Sequence, residues 1–404
     1  MNLRITPRRL QGSLPAISSK SHAHRLLICA ALCQEPTFIE INLFSQDLLA
    51  TIDCIKALGC DAQLQDGGVL IVPQKVPTSK HFDCRESGST LRFMLPVAAA
   101  LGGGSFMGAG RLPNRPLDDL LDAMSEHGVA SNARSLPLTL TGQLQSGEYY
   151  VAGNVSSQYI TGLLLALPLL WGDSRLHLTT ALCSAGYVAL TLDALRAFGI
   201  RIEAVEDGFF IAGDQTFRSP ERICCEGDWS NSAFWKTAEF LGAEIYVSGL
   251  KENSSQKDRL IVSVLEEMKQ ERDLTFSVSD IPDLVPIISV AAACRKHTTV
   301  LTDTARLRLK ESDRVQSVCD MITALGGKIT ADENTMTIFG TGGLAGGTVD
   351  GCNDHRIVMS AAIAATVCKQ PVTVLGAQAA DKSYPSFWAD YQRLGGVFDA
   401  IDLR

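Results

Sequence analysis

The chain repeats one pattern of apolar and polar residues six times, and this repeat constrains its fold more than any other feature. The first part of the pattern is an amphipathic stretch that ends in glycine and is followed by two alternating stretches. Glycine just beyond a helix supplies the left-handed residue that ends it, and alternation around turn residues predicts paired strands. The helices are expected at residues 52–59, 120–128, 192–199, 315–326 and 391–395, with a copy lacking glycine that ends near Met268. The strand pairs are expected at residues 62–72, 201–212 and 328–339.

The second part of the pattern is an apolar stretch that opens with polar residues. Ser, Asp and Asn at a helix start accept hydrogen bonds from the free amides of the first turn. The stretches are apolar on nearly all sides, so buried helices are predicted. They open at Ser18 and Ser19, residues 87–90, Ser156 and Ser157, residues 228–232, Asp283, and Asn353 and Asp354.

The two parts together predict six units of roughly 70 residues in β-α-β-α-β-β order, one of them slightly short. A chain of 404 residues is too long for one typical core, so we expect two domains of three units each. A change of composition at residues 219–227 divides the halves. The fold class is therefore α/β.

Composition excludes several kinds of protein. The formal net charge of −8 opposes general nucleic-acid binding, which requires a basic surface. The 12 cysteines form no CxxC pair and many lie in apolar runs, which indicates buried thiols in a reducing compartment rather than a disulfide framework or a zinc site. The longest apolar run is about half of the ~20 residues that a membrane-spanning helix needs. We therefore expect a cytoplasmic protein.

Eight basic residues lie in short polar motifs that border the apolar stretches of this acidic chain. They are Lys20, Arg25, Arg92, Arg115, Lys310, Arg314, Arg356 and Lys382. Cations beside buried helices are costly unless they are paired, so a small substrate with several negative charges would explain them together. Helix starts add free amides and partial positive charge, which predicts an anion site between the two domains. For any one motif alone, a capped helix with solvated charges remains an alternative.

In their order along the chain, these motifs resemble the 3-phosphoshikimate 1-carboxyvinyltransferase (EPSP synthase) family. The resemblance runs from Ser19 to Pro385, and the combination of Ser-Ser-Gln, Lys-Glu-Ser-Asp-Arg and Asp-His-Arg is highly specific. The matching residues are Lys20, Ser21 and Arg25; Ser87, Gly88, Ser89 and Arg92; Asn114, Arg115 and Pro116; Ser156, Ser157 and Gln158; Ser184 and Tyr187; Ile281, Pro282 and Asp283; Lys310 to Arg314; Asp354, His355 and Arg356; and Lys382.

The resemblance implies two inverse α/β domains, each built from three repeated units around buried parallel helices. It assigns residues 13–225 to an N-terminal domain on the shikimate 3-phosphate side. Residues 1–12 and 226–404 form a C-terminal domain that closes on phosphoenolpyruvate. We expect a monomer that needs no metal and no organic cofactor and that binds neither nucleic acid nor membrane.

The implied reaction transfers enolpyruvyl from phosphoenolpyruvate to the 5-hydroxyl of shikimate 3-phosphate by addition and elimination, in the pathway to chorismate and aromatic amino acids. By resemblance, shikimate 3-phosphate is bound by Lys20, Ser21, Arg25, Ser156, Ser157, Gln158, Ser184, Asp283 and Lys310. Phosphoenolpyruvate is bound by Lys20, Gly88, Arg115, Gln158, Arg314, Arg356 and Lys382, and the herbicide glyphosate occupies its site beside Gly88. Asp283 accepts the hydroxyl proton, and Glu311 or Lys20 handles the methyl proton.

Some positions depart from the family. Ile17 and Ser18 stand where proline or glycine is more frequent, His24 replaces a frequent asparagine, and Arg306 replaces an asparagine that helps to hold the sugar acid. The sister family that acts on UDP-N-acetylglucosamine uses a loop cysteine near Arg115, and residues 111–115 contain none. An RNA-end-processing or RNA-binding protein on a related repeat is opposed by the acidic charge, and a non-catalytic scaffold by the intact catalytic set.

Overall fold

The structure is a computed structural model of the protein and describes residues 1–73 and 80–402. Its helices are α1 (Lys20–Ala31), α2 (Gln46–Ala57), α3 (Gly88–Ala100), α4 (Asp118–Ser125), α5 (Ser157–Ala166), α6 (Ala185–Ala197), α7 (Trp229–Phe240), α8 (Ile261–Glu267), α9 (Val285–Cys294), α10 (Arg314–Ala324), α11 (His355–Ala365) and α12 (Phe387–Arg393). Its strands are β1 (Asn2–Thr6), β2 (Gln11–Pro15), β3 (Thr37–Glu40), β4 (Asp61–Gln65), β5 (Gly68–Val72), β6 (His81–Asp83), β7 (Gly104–Met107), β8 (Val129–Ser131), β9 (Leu138–Gly142), β10 (Glu148–Val151), β11 (Ser174–Leu178), β12 (Ile202–Val205), β13 (Gly208–Ile211), β14 (Arg222–Cys224), β15 (Glu244–Ser248), β16 (Leu274–Ser277), β17 (Thr298–Thr302), β18 (Lys328–Ala331), β19 (Thr335–Phe339), β20 (Gly347–Asp350), β21 (Val372–Leu375) and β22 (Val397–Ile401).

The chain divides into two compact units. The N-terminal unit contains the described residues of 18–226, and the C-terminal unit contains residues 1–17 together with the described residues from 227 onward. The predicted boundary after residue 12 thus lies after Ile17 in the structure. The reason is that β2 pairs with β15 of the C-terminal unit before the chain enters α1.

The three sheets of the N-terminal unit share one arrangement. Their strand orders are β14-β3-β5-β4, β6-β7-β9-β8 and β10-β11-β13-β12. In each sheet the first two strands are parallel and the later pairs are antiparallel. Along the chain, β6-α3-β7-α4-β8-β9 and β10-α5-β11-α6-β12-β13 follow the predicted order of β-α-β-α-β-β.

The C-terminal unit contains two sheets of the same arrangement, β16-β17-β19-β18 and β20-β21-β1-β22, and the two-stranded sheet β15-β2. The strand β1, from the start of the chain, lies between β21 and β22, where Leu3 pairs with Val374 and with Ala400.

The strands β2 and β14 lie near the two crossings of the chain between the units, and each pairs with a strand far away in sequence. β2 runs directly into α1 but pairs with β15, whereas β14 precedes α7 but pairs with β3. Each of these strands therefore pairs with a strand that is distant in sequence and not with the segment that directly follows it.

The helix ends follow the local sequence signals. Each of the five expected helix-ending glycines has a positive φ: Gly59, Gly128, Gly199, Gly326 and Gly395. The expected caps Ser19, Ser87, Ser156, Asp228 and Asp354 each accept a hydrogen bond from an amide of the following helix.

Asp283 is not a helix cap. It lies in a 3-10 turn, Pro282–Leu284, and α9 begins after Leu284 without a side-chain cap. Its carboxylate bonds to Arg314 instead.

The six helices that open with polar residues are the most deeply buried ones, as predicted from their apolar composition. In α9, every residue from Val285 to Ala293 is buried, and in α11 every residue is buried. A helix able to span a membrane is not found among residues 1–73 and 80–402.

Candidate active site

Lys20 stands at the first position of α1 in the N-terminal unit. Its ammonium contacts Asp47 Oδ2 at 2.7 Å, and both side chains are largely buried. The sequence analysis missed Asp47, because an acidic residue in the first turn of α2 is also what the helix dipole favours. The Asp47 carbonyl accepts a hydrogen bond from Thr90 at 3.4 Å, so the pair also contacts the first turn of α3.

The guanidinium of Arg25 is buried and bonded along most of its edge. Nε donates to Thr191 Oγ1 at 2.8 Å, and Nη1 donates to the Ser21 carbonyl at 2.5 Å. Nη2 donates to the Tyr187 carbonyl at 2.9 Å and to Thr161 Oγ1 at 3.3 Å. Burial lowers the pKa of Arg25 to about 10, so the group remains charged at neutral pH. These bonds join α1 to α5 and α6 beside Ser21.

Gly88 begins α3 directly against two guanidinium groups. A Cβ atom at this position would lie 2.4 Å from Arg115 Nη1 and 2.8 Å from Arg92 Nη1. Arg92 Nη2 donates to the Pro116 carbonyl at 3.1 Å, and the Arg92 guanidinium lies over the ring of Tyr159. Two cations therefore converge on a helix start whose free amides also favour an anion.

The starts of α3 and α5 are joined by hydrogen bonds. Ser156 caps α5 and accepts from the amide of Gln158 at 3.3 Å, while Gln158 Nε2 donates to Ser89 Oγ at 3.0 Å. Ser157 is buried at the first position of α5. Ser184, just before α6, is buried with a left-handed φ of 57°, a strained backbone conformation for a residue with a side chain.

Arg314 is the centre of a charged cluster in the C-terminal unit. It is the first residue of α10, and its side chain is 1% exposed. Nη1 donates to Asp283 Oδ1 at 2.6 Å, Nη2 to Glu311 Oε2 at 2.6 Å, and Nε to Asp354 Oδ2 at 2.8 Å. Burial disfavours the charge, but the three carboxylates outweigh it and raise the pKa of Arg314 well above its ordinary value.

Asp283 is bordered by three cations. Besides Arg314, Lys310 Nζ lies 3.5 Å from Oδ1, and Arg356 Nη2 lies 3.5 Å from Oδ2. The Asp283 side chain is 18% exposed, so this carboxylate can be reached from outside the cluster, which Asp354 at 0% cannot.

Lys382 and Arg356 lie at the same helix start. Lys382 ends the 3-10 turn Ala377–Lys382, and its Nζ donates to the Asn353 carbonyl at 2.7 Å, just before α11. His355 Nδ1 lies 3.8 Å from Asp354 Oδ1, and both side chains are buried.

Asp258 is a buried carboxyl group near this cluster that nothing in the sequence singles out, since it lies in an ordinary polar stretch. Burial raises its pKa from 3.8 to about 6, and the negative charge of Asp283 acts in the same direction, while Arg356 opposes it. Within the part of the chain that the structure describes, Asp258 Oδ1 has no hydrogen-bond partner.

The expected site residues therefore form separate groups within each unit. In the N-terminal unit, Lys20 contacts α3 through Asp47, the start of α3 contacts Gln158, and Arg25 contacts α5 and α6. In the C-terminal unit, Asp283, Lys310, Glu311, Arg314 and Arg356 form one cluster, with Lys382 bonded ahead of α11. Across residues 1–73 and 80–402, no three His, Cys, Asp or Glu side chains are arranged to hold a metal ion.

Solved structures share this fold. The EPSP synthase of Acinetobacter baumannii matches with a TM-score of 0.82 at 23% identity, covering 99% of this chain and 100% of that one. The enolpyruvyl transferase NikO of Streptomyces tendae matches with a TM-score of 0.80 at 17% identity, covering 98% of each chain. The chain thus shares its α/β fold with these two enzymes.

Sequence comparison shows which family the chain belongs to. The model of the family EPSP synthase (3-phosphoshikimate 1-carboxyvinyltransferase) matches residues 5–391. The chain is 38% identical to the 3-phosphoshikimate 1-carboxyvinyltransferase of Clostridium kluyveri, over 98% of this chain and 97% of that protein. The enzyme of the same name from Clostridium acetobutylicum is also 38% identical, over the same shares of the two chains. The chain belongs to the EPSP synthase family.

Proposed function

We propose that the protein transfers the enolpyruvyl group of phosphoenolpyruvate to the 5-hydroxyl of shikimate 3-phosphate and releases phosphate. The observation that carries this proposal is the Asp283 carboxylate, which has Lys310, Arg314 and Arg356 within 3.5 Å and shares Arg314 with Glu311. A reaction between two anionic substrates needs cations to hold them and carboxyl groups to move protons, and this cluster contains both.

In the addition step, Asp283 accepts the proton of the 5-hydroxyl while the hydroxyl oxygen bonds to C2 of phosphoenolpyruvate. The C3 methylene gains a proton from protonated Glu311 or from Lys20 and becomes a methyl group. In the elimination step, the methyl group returns a proton to Glu311 or Lys20, the C2–O bond to phosphate breaks and the C2–C3 double bond forms again. Since Arg314 bonds to both Asp283 and Glu311, the charge of either carboxyl group affects the other.

The residues proposed to bind phosphoenolpyruvate are mostly cations, together with Gly88. Lys20, Gly88, Arg115 and Lys382 hold its phosphate, while Arg314 and Arg356 hold its carboxylate. The close approach of Arg115 to the backbone of Gly88 supports the first assignment. Arg314 already carries three protein carboxylates, so a substrate carboxylate would share this guanidinium with Asp283 and Glu311.

Shikimate 3-phosphate binds mainly to the N-terminal unit. Ser156, Ser157 and Ser184 hold its phosphate, Arg25 and Ser21 its carboxylate side, and Gln158 lies between the substrates. The hydroxyls and amides at the starts of α5 and α6 are suited to a phosphate group. Lys20, Asp283 and Lys310 complete the proposed set.

The direct test is an assay of phosphate release from phosphoenolpyruvate, with shikimate 3-phosphate or UDP-N-acetylglucosamine as the acceptor. We expect release with shikimate 3-phosphate only. Release with UDP-N-acetylglucosamine would assign the chain to the sister reaction, and release with neither acceptor would contradict the proposal.

Two lysine variants test the phosphate assignment. Lys20→Met and Lys382→Met should abolish turnover because each leaves phosphate charge uncompensated, while circular dichroism still shows a folded chain. Lys20→Met also removes the cation from the largely buried Asp47, so some loss of melting temperature is expected for that variant. Lys369→Met is the matched control, since Lys369 is exposed and lies outside the site. Near-normal kcat/KM at a saturating concentration of the partner substrate would show that the altered lysine does not bind phosphate.

We further propose that the protein works as a monomer in the cytoplasm. All 12 cysteines are free thiols, and most of them are buried or half-buried, which suits a reducing compartment. Light scattering coupled to size exclusion should give a mass near 43.4 kDa. A mass of twice this value would contradict the monomer.

A further inference from the structure

Four buried polar side chains form a continuous hydrogen-bond chain across three helices of the N-terminal unit. His24 Nδ1 lies 2.7 Å from Thr51 Oγ1, and Thr51 Oγ1 lies 2.7 Å from Thr90 Oγ1. Thr90 Oγ1 in turn donates to Ser87 Oγ at 2.7 Å. None of the four residues has any solvent exposure. The chain therefore connects α1 and α2 to the residue that caps α3.

The series of hydrogen bonds has a direction, because each hydroxyl carries a single hydrogen. Thr90 donates its hydrogen to Ser87 at 2.7 Å or to the Asp47 carbonyl at 3.4 Å, and in either case Thr51 donates to Thr90. The Thr51 oxygen is then the acceptor for His24, and His24 must carry its proton on Nδ1. The ordering of the three hydroxyls thus depends on a histidine that donates from this nitrogen.

The surroundings keep His24 neutral. Burial, followed by the positive charges of Lys20 and Arg25, lowers the pKa of His24 well below 6.5. Among the described residues, Nε2 has no hydrogen-bond partner, so a second proton there would have no acceptor. The imidazole is perpendicular to the ring of Phe93 in α3, with the two ring centroids 6.3 Å apart.

The hydrogen-bond chain ends at Ser87, at the first turn of α3, where phosphoenolpyruvate is proposed to bind. Ser87 accepts the amide of Thr90 at 3.2 Å as well as its hydroxyl, and this fixes the first helical turn. That turn contains Gly88, which packs against Arg115, and Ser89, which accepts from Gln158. A rotation of the Thr90 side chain would therefore remove one of the two hydrogen bonds that Ser87 accepts beside Gly88.

We propose that His24 is a positioning residue that holds the first turn of α3, through Thr51 and Thr90, in the conformation that receives the phosphate of phosphoenolpyruvate. The proposal rests on the assignment of Gly88 to that phosphate under the proposed function. His24 itself contacts no substrate in this account. Its effect should therefore be larger on the binding of phosphoenolpyruvate, held beside Gly88, than on that of shikimate 3-phosphate, which this turn reaches only through Ser89 and Gln158.

Thr51 offers the sharpest test, because Thr51→Val removes the hydroxyl at nearly constant volume and Thr51→Ser keeps it. We expect Thr51→Val to raise the KM for phosphoenolpyruvate about fivefold or more, the order of one lost hydrogen bond. The KM for shikimate 3-phosphate and kcat should stay within about twofold, and Thr51→Ser should restore the wild-type KM. Thr237→Val is the matched control, since Thr237 is equally buried in α7 and its hydroxyl makes no hydrogen bond to any described residue.

A second measurement is made on the wild-type protein. Nitrogen-15 NMR of histidine-labelled wild-type protein should show His24 as the Nδ1–H tautomer from pH 6 to 8, with His24→Asn used only to assign the signal. An Nε2–H tautomer would reverse the chain and overturn the proposal.

The kinetic outcomes separate this proposal from the proposed function. Wild-type protein that releases no phosphate with shikimate 3-phosphate contradicts the function, and the positioning role falls with it. Active wild-type protein combined with a Thr51→Val variant whose two KM values are unchanged, or raised alike, contradicts the positioning role alone.

Discussion

At the scale of single residues, the structure shows that a cation of the sequence motifs can also have a structural role. Arg314 could be predicted as a cation at a helix start, but in the folded chain its guanidinium bonds to three carboxylates and is closed off from solvent. Losing one partner of such a buried group leaves charge uncompensated, which is costly. Asp283 and Glu311 therefore have a structural role beside the chemical one that we propose.

Substitution of the two carboxyl groups tests that chemical role. Asp283→Asn and Glu311→Gln should each lower kcat by ~10²-fold or more, the usual scale for an acid–base group. Single-turnover kinetics measure the chemical step, and melting temperatures report the structural loss at Arg314 separately. Glu266→Gln is the control, because Glu266 forms only an exposed ion pair with Lys269. An unchanged chemical step, with the whole loss in substrate affinity, would rule out proton transfer by the substituted group.

Gly88→Ala tests the contact between backbone and ligand. The added methyl group would lie 2.4 Å from Arg115 Nη1, so the guanidinium or the helix start must shift. Forcing a methyl group into packed atoms costs about 1–3 kcal/mol, and we expect the KM for phosphoenolpyruvate and the Ki for glyphosate to rise about tenfold or more. The KM for shikimate 3-phosphate in the same variant is the internal reference. Unchanged glyphosate inhibition would show that this ligand does not lie beside Gly88.

At the scale of secondary-structure elements, caps and short turns decide where charge is placed. Asp354 both caps α11 and bonds to Arg314 at the start of α10, so one carboxylate joins two helix starts. Burial opposes ionisation, but Arg314 and His355 outweigh it and lower the pKa of Asp354. Asp258, in the 3-10 turn Lys257–Leu260, has the opposite behaviour, because burial prevails there.

Asp258 should make stability depend on pH. Its folded-state pKa of about 6 exceeds the ordinary 3.8, so the proton is held more tightly in the folded chain. The associated stability is fully present below about pH 4 and is lost as the pH rises through about 6. At about 1.4 kcal/mol per pKa unit, the loss is roughly 3 kcal/mol.

Asp258→Asn removes this titration. Relative to the wild type, the variant should gain stability between pH 4.5 and pH 7.5, measured by thermal and denaturant unfolding at each pH. Asp399→Asn, an exposed carboxylate on β22, should show no such trend. A constant difference between Asp258→Asn and the wild type over this range would mean that Asp258 does not titrate there.

At the scale of the whole molecule, residues from the start of the sequence belong to the core of the C-terminal unit. β1 is an inner strand of a C-terminal sheet although it begins the chain, and its Ile5 has no solvent exposure. Ile39 lies in β3, an inner strand of an N-terminal sheet, and is equally buried.

Hydrogen exchange can separate the two units. Truncating a buried isoleucine to alanine costs about 2–5 kcal/mol, and the loss should appear in the unit that contains the residue. Ile5→Ala should speed amide exchange in β20–β22 and α11, whereas Ile39→Ala should speed it in β3–β5 and α1. Faster exchange in the N-terminal unit after Ile5→Ala would contradict the assignment of β1.

The sequence by itself determined the local structure and the chemical class of the protein. Helix ends at Gly59 or Gly326, caps at Ser87 or Asp354, and the β-α-β-α-β-β order follow from periodicity and from the conformational freedom of single residues. These signals act over a few residues, so they can be read without knowing the rest of the fold. The residue types of the motifs, together with their order, were also sufficient to indicate the enolpyruvyl transferases.

Only the tertiary structure decided the pairings between distant segments. Distant segments meet in the pairings of β2 and β14, in the Lys20–Asp47 ion pair and in the hydrogen bonds from His24 to Ser87. The burial of Asp258 likewise depends on segments that are distant in sequence. A lone Asp in a polar stretch and a Thr inside a helix look alike in sequence whether they end up exposed or buried. Their roles depend on which atoms the packed helices and sheets bring within hydrogen-bond distance, and that is a property of the assembled fold.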